Sequence, residues 1–259
     1  LQGQPQPDGG HPEALCGDRM NRNGAPTVSV IVPVLHETGQ LDALVDHLLQ
    51  IAEDTPLEII VVDGSPEGES IGAISRGGVI RLIAPAGRAR QMNAGAASAR
   101  GEFLLFLHAD TRLPRGALRR IQEALTDGLF VAGAFDLRYG SDRLSIRIIA
   151  RVACLRSRLT RIPYGDQAQF FRRETFEILG GYADIPLMED VEIMRRIKER
   201  GDRISILDEA VVTSARRQET EGVVYCTLRN WGLVTLYLLG VPPQRLVRFY
   251  RNHGQKADG

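Results

Sequence analysis

Short apolar runs and amphipathic segments alternate along the first half of the chain. Val28 to Val34 (VSVIVPV) and Glu58 to Asp63 (EIIVVD) are β-branched and apolar on both faces, as strands buried in a parallel sheet are. Between them Leu41, Leu44, Val45, Leu48 and Leu49 recur at i, i+3, i+4, i+7 and i+8, which predicts a helix packing that stripe on the sheet. The rhythm repeats with a strand at Val79 to Ile83, a helix over Ala89 to Ala99 and a strand at Phe103 to His108. Repeated strand–helix–strand units predict a doubly wound α/β sheet.

After about Arg138 the pattern predicts an arginine-rich amphipathic helix, a short strand around Ala168 to Arg172, and helices near Arg173–Leu179 and Glu189–Arg200. With no Pro- or Ser-rich linker, one composite domain over residues 27–220 is expected, followed by a helical extension over 221–259. Residues 1–26, rich in Gly, Pro, Gln and Asn, read as a disordered leader. The stretch Val223 to Val241 is broken by Arg229 and Asn230, so a buried or interfacial helix is expected there, not a membrane span.

The 259 residues suffice for a substantial core, and 32 Lys plus Arg against 32 Asp plus Glu gives no broad basic field for nucleic acid. The three cysteines, Cys16, Cys154 and Cys226, suit neither a disulfide framework nor a zinc site, and point to a reducing, cytoplasmic setting.

In open α/β sheets ligands bind beyond the carboxyl ends of the strands. Three such ends carry polar residues: Pro33 with His36 and Glu37, then Asp63-Gly64-Ser65, then His108-Ala109-Asp110-Thr111. Each alone reads as turn chemistry; their coincidence at one sheet edge marks a site. The succession VSVIVPVLHE, EIIVVDGSP, GRARQMNAGAASARGEFLLFLHADT, GDQAQFFRRETFEILGGY and PLMEDVEIMRRIKERG resembles the family 2 glycosyltransferases over roughly Val28 to Asp208. The resemblance implies a GT-A fold, a doubly wound, mostly parallel but mixed sheet with helices on both faces and a C-terminal helical elaboration. It also implies transfer of a single sugar from a UDP- or GDP-sugar with inversion.

By the same resemblance Pro33, Glu37 and Asp63 line the nucleoside pocket, Arg88 lies near the diphosphate, and Gly64, Ser65, Gln91 and His108 complete the nucleotide-sugar site. Asp110 then ligates Mg²⁺ or Mn²⁺, while His108 stands where the usual DxD motif has its first aspartate. A hard divalent ion wants oxygen ligands and neutralises the departing diphosphate. Asp190, chosen over Glu189, is the implied base; an acidic first helical turn otherwise needs only the helix dipole to explain it. Asp166 and Gln167 resemble the acceptor-side loop, and Arg216 and Arg217 offer cations to that side or form a solvated strand end.

Rival readings are a non-catalytic nucleotide-binding protein of the same fold, and an α/β-hydrolase suggested by Gly68-Glu69-Ser70-Ile71-Gly72. The second fails on context, since Ser70 lies several residues past its strand. Gly87, Gly95 and Gly101 do not make a dinucleotide fingerprint. Between Arg138 and Arg161 seven arginines face one acid, with Leu144, Ile148, Val152, Leu155 and Leu159 at helical spacing. That stripe either packs on the protein's own sheet or lies in an anionic headgroup layer, where it would bring the enzyme to a lipid-linked acceptor as a peripheral protein on the inner membrane face.

Overall fold

The computed structural model describes residues 27–250, so the expected leader and the last nine residues lie outside the described part. In chain order the elements are β1 (Val28–Val34), α1 (Leu41–Ala52), β2 (Leu57–Asp63), α2 (Glu69–Gly72), β3 (Val79–Ile83), α3 (Arg88–Ser98), β4 (Phe103–Phe106) and α4 (Ala117–Thr126). There follow β5 (Ala132–Tyr139), α5 (Leu144–Thr160), β6 (Phe170–Arg172), α6 (Arg173–Ile178), α7 (Glu189–Glu199), β7 (Ile204–Thr213), α8 (Arg216–Glu221), α9 (Val223–Leu238) and α10 (Pro243–Leu246).

The strands form one sheet in the order β3-β2-β1-β4-β6-β5-β7. β1 to β4 are parallel, β6 runs antiparallel to both β4 and β5, and β5 pairs parallel with β7, so the sheet is mixed. Alternation along β1 sends Val28, Val30 and Val32 to the face covered by α1 and α4, and Ile31 to the face covered by α3, α6 and α7. Both faces are therefore dry, which is why β1 and β2 are apolar at nearly every position.

Three departures from expectation have local causes. Leu49 is 53% exposed while Ile51 is buried; at 3.6 residues per turn Leu49 lies about 80° from Leu41, on the outer side of a stripe centred nearer Leu44 and Leu48. β5 opens with Ala132-Gly133-Ala134 and has no β-branched residue to mark it, yet it pairs along its length with β7. A Cβ on Gly133 would sit 2.4 Å from the Phe170 ring, so packing against β6 demands the residue that disguises the strand. In β7 the polar pair Asp208-Glu209 interrupts the apolar run at the irregularity that faces Phe135 and Asp136.

The arginine-rich helix begins at Leu144, because Arg138 belongs to β5. Its inward residues are Ile146, Ala150 and Ser157, with Ala153 and Cys154 half-buried. Leu144, Ile148, Val152, Leu155 and Leu159 are exposed, so the expected packing of that stripe on the sheet does not occur. Residues beyond β7 fold back over the sheet edge, where Leu233 of α9 and Leu246 of α10 pack on Leu187, Met188 and Val191 at the start of α7.

Candidate functional site

A cleft of about 260 Å³ opens beyond the carboxyl ends of β4 and β5. Five elements or loops converge on it. Arg88 comes from the first turn of α3, His108 and Asp110 from the loop after β4, Asp166 from the loop before β6, Asp190 from the first turn of α7, and Arg216 and Arg217 from the start of α8. Pro33 and Glu189 line a smaller pocket that shares Arg88, His108 and Asp190 with the cleft.

Asp190 is held by backbone donors. Its Oδ2 accepts the Gly165 N–H at 2.7 Å and its Oδ1 the Val191 N–H at 2.9 Å. Met188, which precedes the helix, is buried with a φ of 71°, a conformation that costs a bulky side chain about 1–2 kcal/mol. Its packing against Val191, Leu233 and Leu246 holds it there, and so aims the Glu189-Asp190 turn into the cleft. Gln169 adds a brace by donating to the carbonyls of Pro163 and Asp190 at 2.9 and 3.1 Å, while its Oε1 accepts from the Tyr182 hydroxyl at 2.9 Å.

Asp110 faces the cleft beside hydroxyls. The Thr111 and Thr213 Oγ1 atoms lie 3.5 and 3.4 Å from its Oδ1. Paired backbone hydrogen bonds between Arg112 and Val212, at 2.8 and 2.9 Å, tie this loop to β7. Among the described residues no three His, Cys, Asp or Glu side chains converge to cage an ion. One carboxylate with neighbouring hydroxyl oxygens fits a hard divalent cation whose other ligands are phosphate oxygens and water.

The charged groups of the cleft lie close enough to act on one another. Burial, reinforced by the Arg88 guanidinium, pushes His108 down to about 4 in spite of Asp110 and Asp190, so the imidazole is neutral at pH 7. Burial, with Asp190 adding to it, pushes Asp166 up to about 6 against Arg156 and Arg88. Burial opposes charge on Arg88, but Glu189 and Asp190 outweigh it and hold the guanidinium above its ordinary range. Arg88 and Glu189 form a direct ion pair, so Glu189 is engaged and, of the two acids opening α7, Asp190 is the one that faces the cleft.

Several expected contacts do not line the cleft and are engaged in the scaffold instead. Asp63 is fully buried, and its carboxylate accepts the N–H groups of Ser65, Ser70 and Ile71 at 2.9, 2.7 and 3.2 Å. Those bonds close the loop after β2 and anchor α2, leaving the Asp63 oxygens engaged in this conformation. Ser65 Oγ accepts the Glu69 N–H at 3.2 Å, and Glu37 donates its own N–H to Ser70 Oγ at 3.1 Å. Ser70 is thus a buried brace, the opposite of an exposed nucleophile. Gln91 donates to the Val34 and Val62 carbonyls at 2.6 and 2.9 Å, lacing the ends of β1 and β2, and its side chain packs against Gly64. Gln167 is buried with bonds to Ser157 Oγ at 2.6 Å and to the Phe135 carbonyl at 2.9 Å, so it fastens the Asp166 loop to α5 and β5.

Other lining residues carried no signal in the sequence. Tyr139 ends the disguised strand β5, and Asn230, Leu233 and Val234 form the inner face of α9. Tyr164 also lines the cleft, with the Arg156 guanidinium 3.4 Å over its ring. Tyr250 closes the outer rim and hydrogen-bonds Arg217 through its hydroxyl. Only Tyr164, adjacent to Gly165-Asp166, was within reach of a motif.

Comparison with solved structures places the chain among GT-A folds. S. aureus TarS 1–349 in complex with UDP-GlcNAc superposes with a TM-score of 0.56 at 17% identity, covering 73% of this chain and 58% of that one. The same protein in complex with UDP gives 0.56 at 19% identity, covering 73% and 60%. The chain therefore spans about three-fifths of the length of those chains. No curated protein sequence matches it. The sequence pattern named Glycosyl transferase family 2 matches residues 29–183, more than half of the chain, a span that takes in β1 to β6 with the Asp110 and Asp166 loops. The chain belongs to glycosyl transferase family 2.

Proposed function

We propose that the enzyme moves a single glycosyl group from a UDP- or GDP-sugar to an acceptor hydroxyl with inversion at the anomeric carbon. The observation that carries this reading is the convergence of Asp190, Asp110, neutral His108 and the cations Arg88, Arg216 and Arg217 on one cleft. Arginines suit a diphosphate, because their planar forks match its oxygens and stay charged. The UDP and UDP-GlcNAc bound by the TarS structures support a nucleotide-sugar donor.

Asp190, fixed by the Gly165 and Val191 amides, is the general base. It takes the acceptor proton as the acceptor oxygen attacks the anomeric carbon from the face opposite the diphosphate. The bond from that carbon to the diphosphate oxygen breaks, and the nucleoside diphosphate leaves with the electron pair. Asp110 would hold Mg²⁺ or Mn²⁺, with neutral His108 beside it. Bound there, the ion would neutralise charge on the leaving group. Arg88, Arg216 and Arg217 supply the same kind of stabilisation from the protein itself.

A panel of UDP- and GDP-sugars, incubated with and without Mn²⁺ and followed by nucleoside diphosphate release, tests the reading. Release from at least one donor, stimulated by the metal and lost in Asp110→Asn, is expected. Equal nucleotide affinity for wild type and Asp110→Asn, with and without Mn²⁺, would remove the metal from the proposal.

A further inference from the structure

The exposed apolar stripe of α5 has a neighbour of the same character. On α9 the outward residues Val224, Leu228, Trp231 and Leu238 are exposed, as is Leu239 just past its end, Leu239 by 76% and Val224 by 70%. At 100° per residue they fall within roughly one quarter of the helix circumference, and the outward arc they occupy carries no charged residue. Arg229, the one ionised side chain of α9, is turned away and paired with Glu221. α5 and α9 touch. Singly exposed leucines are ordinary, but two adjoining helices presenting apolar faces make a surface that water does not favour.

Charge says what covers it. α5 contains four arginines and no acid. Arg156 and Arg158 are occupied, the first on Tyr164 and the second with Asp136 and Asp208. Arg147 and Arg151 are exposed, and helical spacing puts both on one flank of the Leu144–Leu159 stripe, with Arg143 at the helix start. An apolar face bordered by unpaired guanidinium groups, with a tryptophan among its outward residues, is complementary to an anionic lipid headgroup layer. No helix among the described residues is long and apolar enough to cross a membrane, so the contact is one of lying on the surface. The inward residues of α9, Asn230, Leu233 and Val234, line the cleft. One helix thus has the cleft on one side and the apolar face on the other.

We propose that α5 and α9 form a docking surface for an anionic lipid bilayer, which sets the cleft beside the membrane and within reach of an acceptor anchored there. Docking needs no sugar transfer, so it stands or falls separately from the proposed reaction.

Flotation of the full chain with phosphatidylcholine vesicles, with and without phosphatidylglycerol, tests it. Binding is expected on the anionic vesicles only, weakening as salt screens the arginines. The paired variant Arg147→Glu with Arg151→Glu should lose about tenfold or more in affinity, since each cation near the surface contributes about fivefold. Leu155→Glu with Leu228→Glu should abolish binding while leaving nucleoside diphosphate release from a soluble donor unchanged; both positions are exposed, so the fold survives. Absence of binding to anionic vesicles at low salt would overturn the proposal. So would a wild-type dimer, absent from vesicles, that Leu228→Glu converts to monomer, because the face would then be an interface between copies of the chain.

Discussion

At the level of single residues, the site separates two carboxylates by environment. Asp190 receives backbone N–H donors, whereas Asp166, half-buried beside it, is pushed up to about 6 by desolvation and by the Asp190 charge. Asp190→Asn is nearly isosteric, so it should keep fold and donor binding while transfer falls by about 10²-fold or more, as loss of a general base does. Undiminished turnover in the purified variant would move the base to another acid. Asp166 yields a stability prediction with a definite sign. A carboxyl raised from 3.8 when unfolded to about 6 when folded binds more protons in the native state between those values, so it withdraws stability as pH rises through the window. Asp166→Asn should therefore leave stability unchanged below about pH 3 and raise it at pH 8, by up to about 3 kcal/mol. Thermal melts of both proteins across that range measure it, and equal melting temperatures at pH 8 would contradict the assigned burial. Asp110, Asp190, Arg88 and His108 were legible because they sit in motifs at strand ends and a helix start. The scaffold roles of Asp63, Gln91 and Gln167 were not, since a sequence does not show whether a polar side chain turns toward the ligand or toward a buried amide.

Among the elements, those with strong periodicity were readable and those shaped by neighbours were not. β1, β2 and β4 are apolar on both faces and announce themselves, and α1 is recognisable despite the misplaced Leu49. β5 is hidden by its small residues, and β7 by Asp208-Glu209. α4 escaped notice although Leu118, Ile121 and Leu125 are all buried, because four charged or amide side chains intervene in its ten residues. Gly133 tests the reason given for β5. A Cβ there would meet the Phe170 ring at 2.4 Å and the Ser205 carbonyl oxygen at 2.7 Å, and the second is backbone that cannot swing away. Gly133→Ala should cost about 1–3 kcal/mol, the range for overpacking a tight site. Gly72→Ala, where a Cβ meets nothing within 4 Å, is the control and should lie within about 0.5 kcal/mol of wild type. Urea melts of the pair give both numbers, and a silent Gly133→Ala would show that β5 and β6 pack more loosely than described.

Across the whole molecule, the C-terminal helices join the two surfaces on which the function is proposed to rest. From the sequence, residues 221–259 read as an extension that packs on the domain or meets a membrane. In the structure residues 223–250 do pack, and α9 also keeps an apolar face exposed; a helix hydrophobic on most of its circumference has no single stripe to reveal which side is inward. The inner side carries Leu233, buried against Leu187, Met188, Val191 and Leu246 and lining the cleft. Removing its side chain leaves a cavity beneath Met188, the residue whose strained backbone aims Asp190. Leu233→Ala should cost about 2–5 kcal/mol of stability and lower turnover. It should do so through a lowered kcat more than a raised KM for the donor, because the base shifts while the arginines remain. Vesicle binding should be unaffected, since the outward face of α9 is intact. Turnover, urea melts and flotation on this one variant, set beside Leu228→Glu, form a crossed pair in which the inner substitution impairs chemistry and spares docking, and the outer one does the reverse. Loss of both properties in Leu233→Ala, at a temperature where the variant is folded, would mean that α9 acts as one unit, with cleft and docking face not separable.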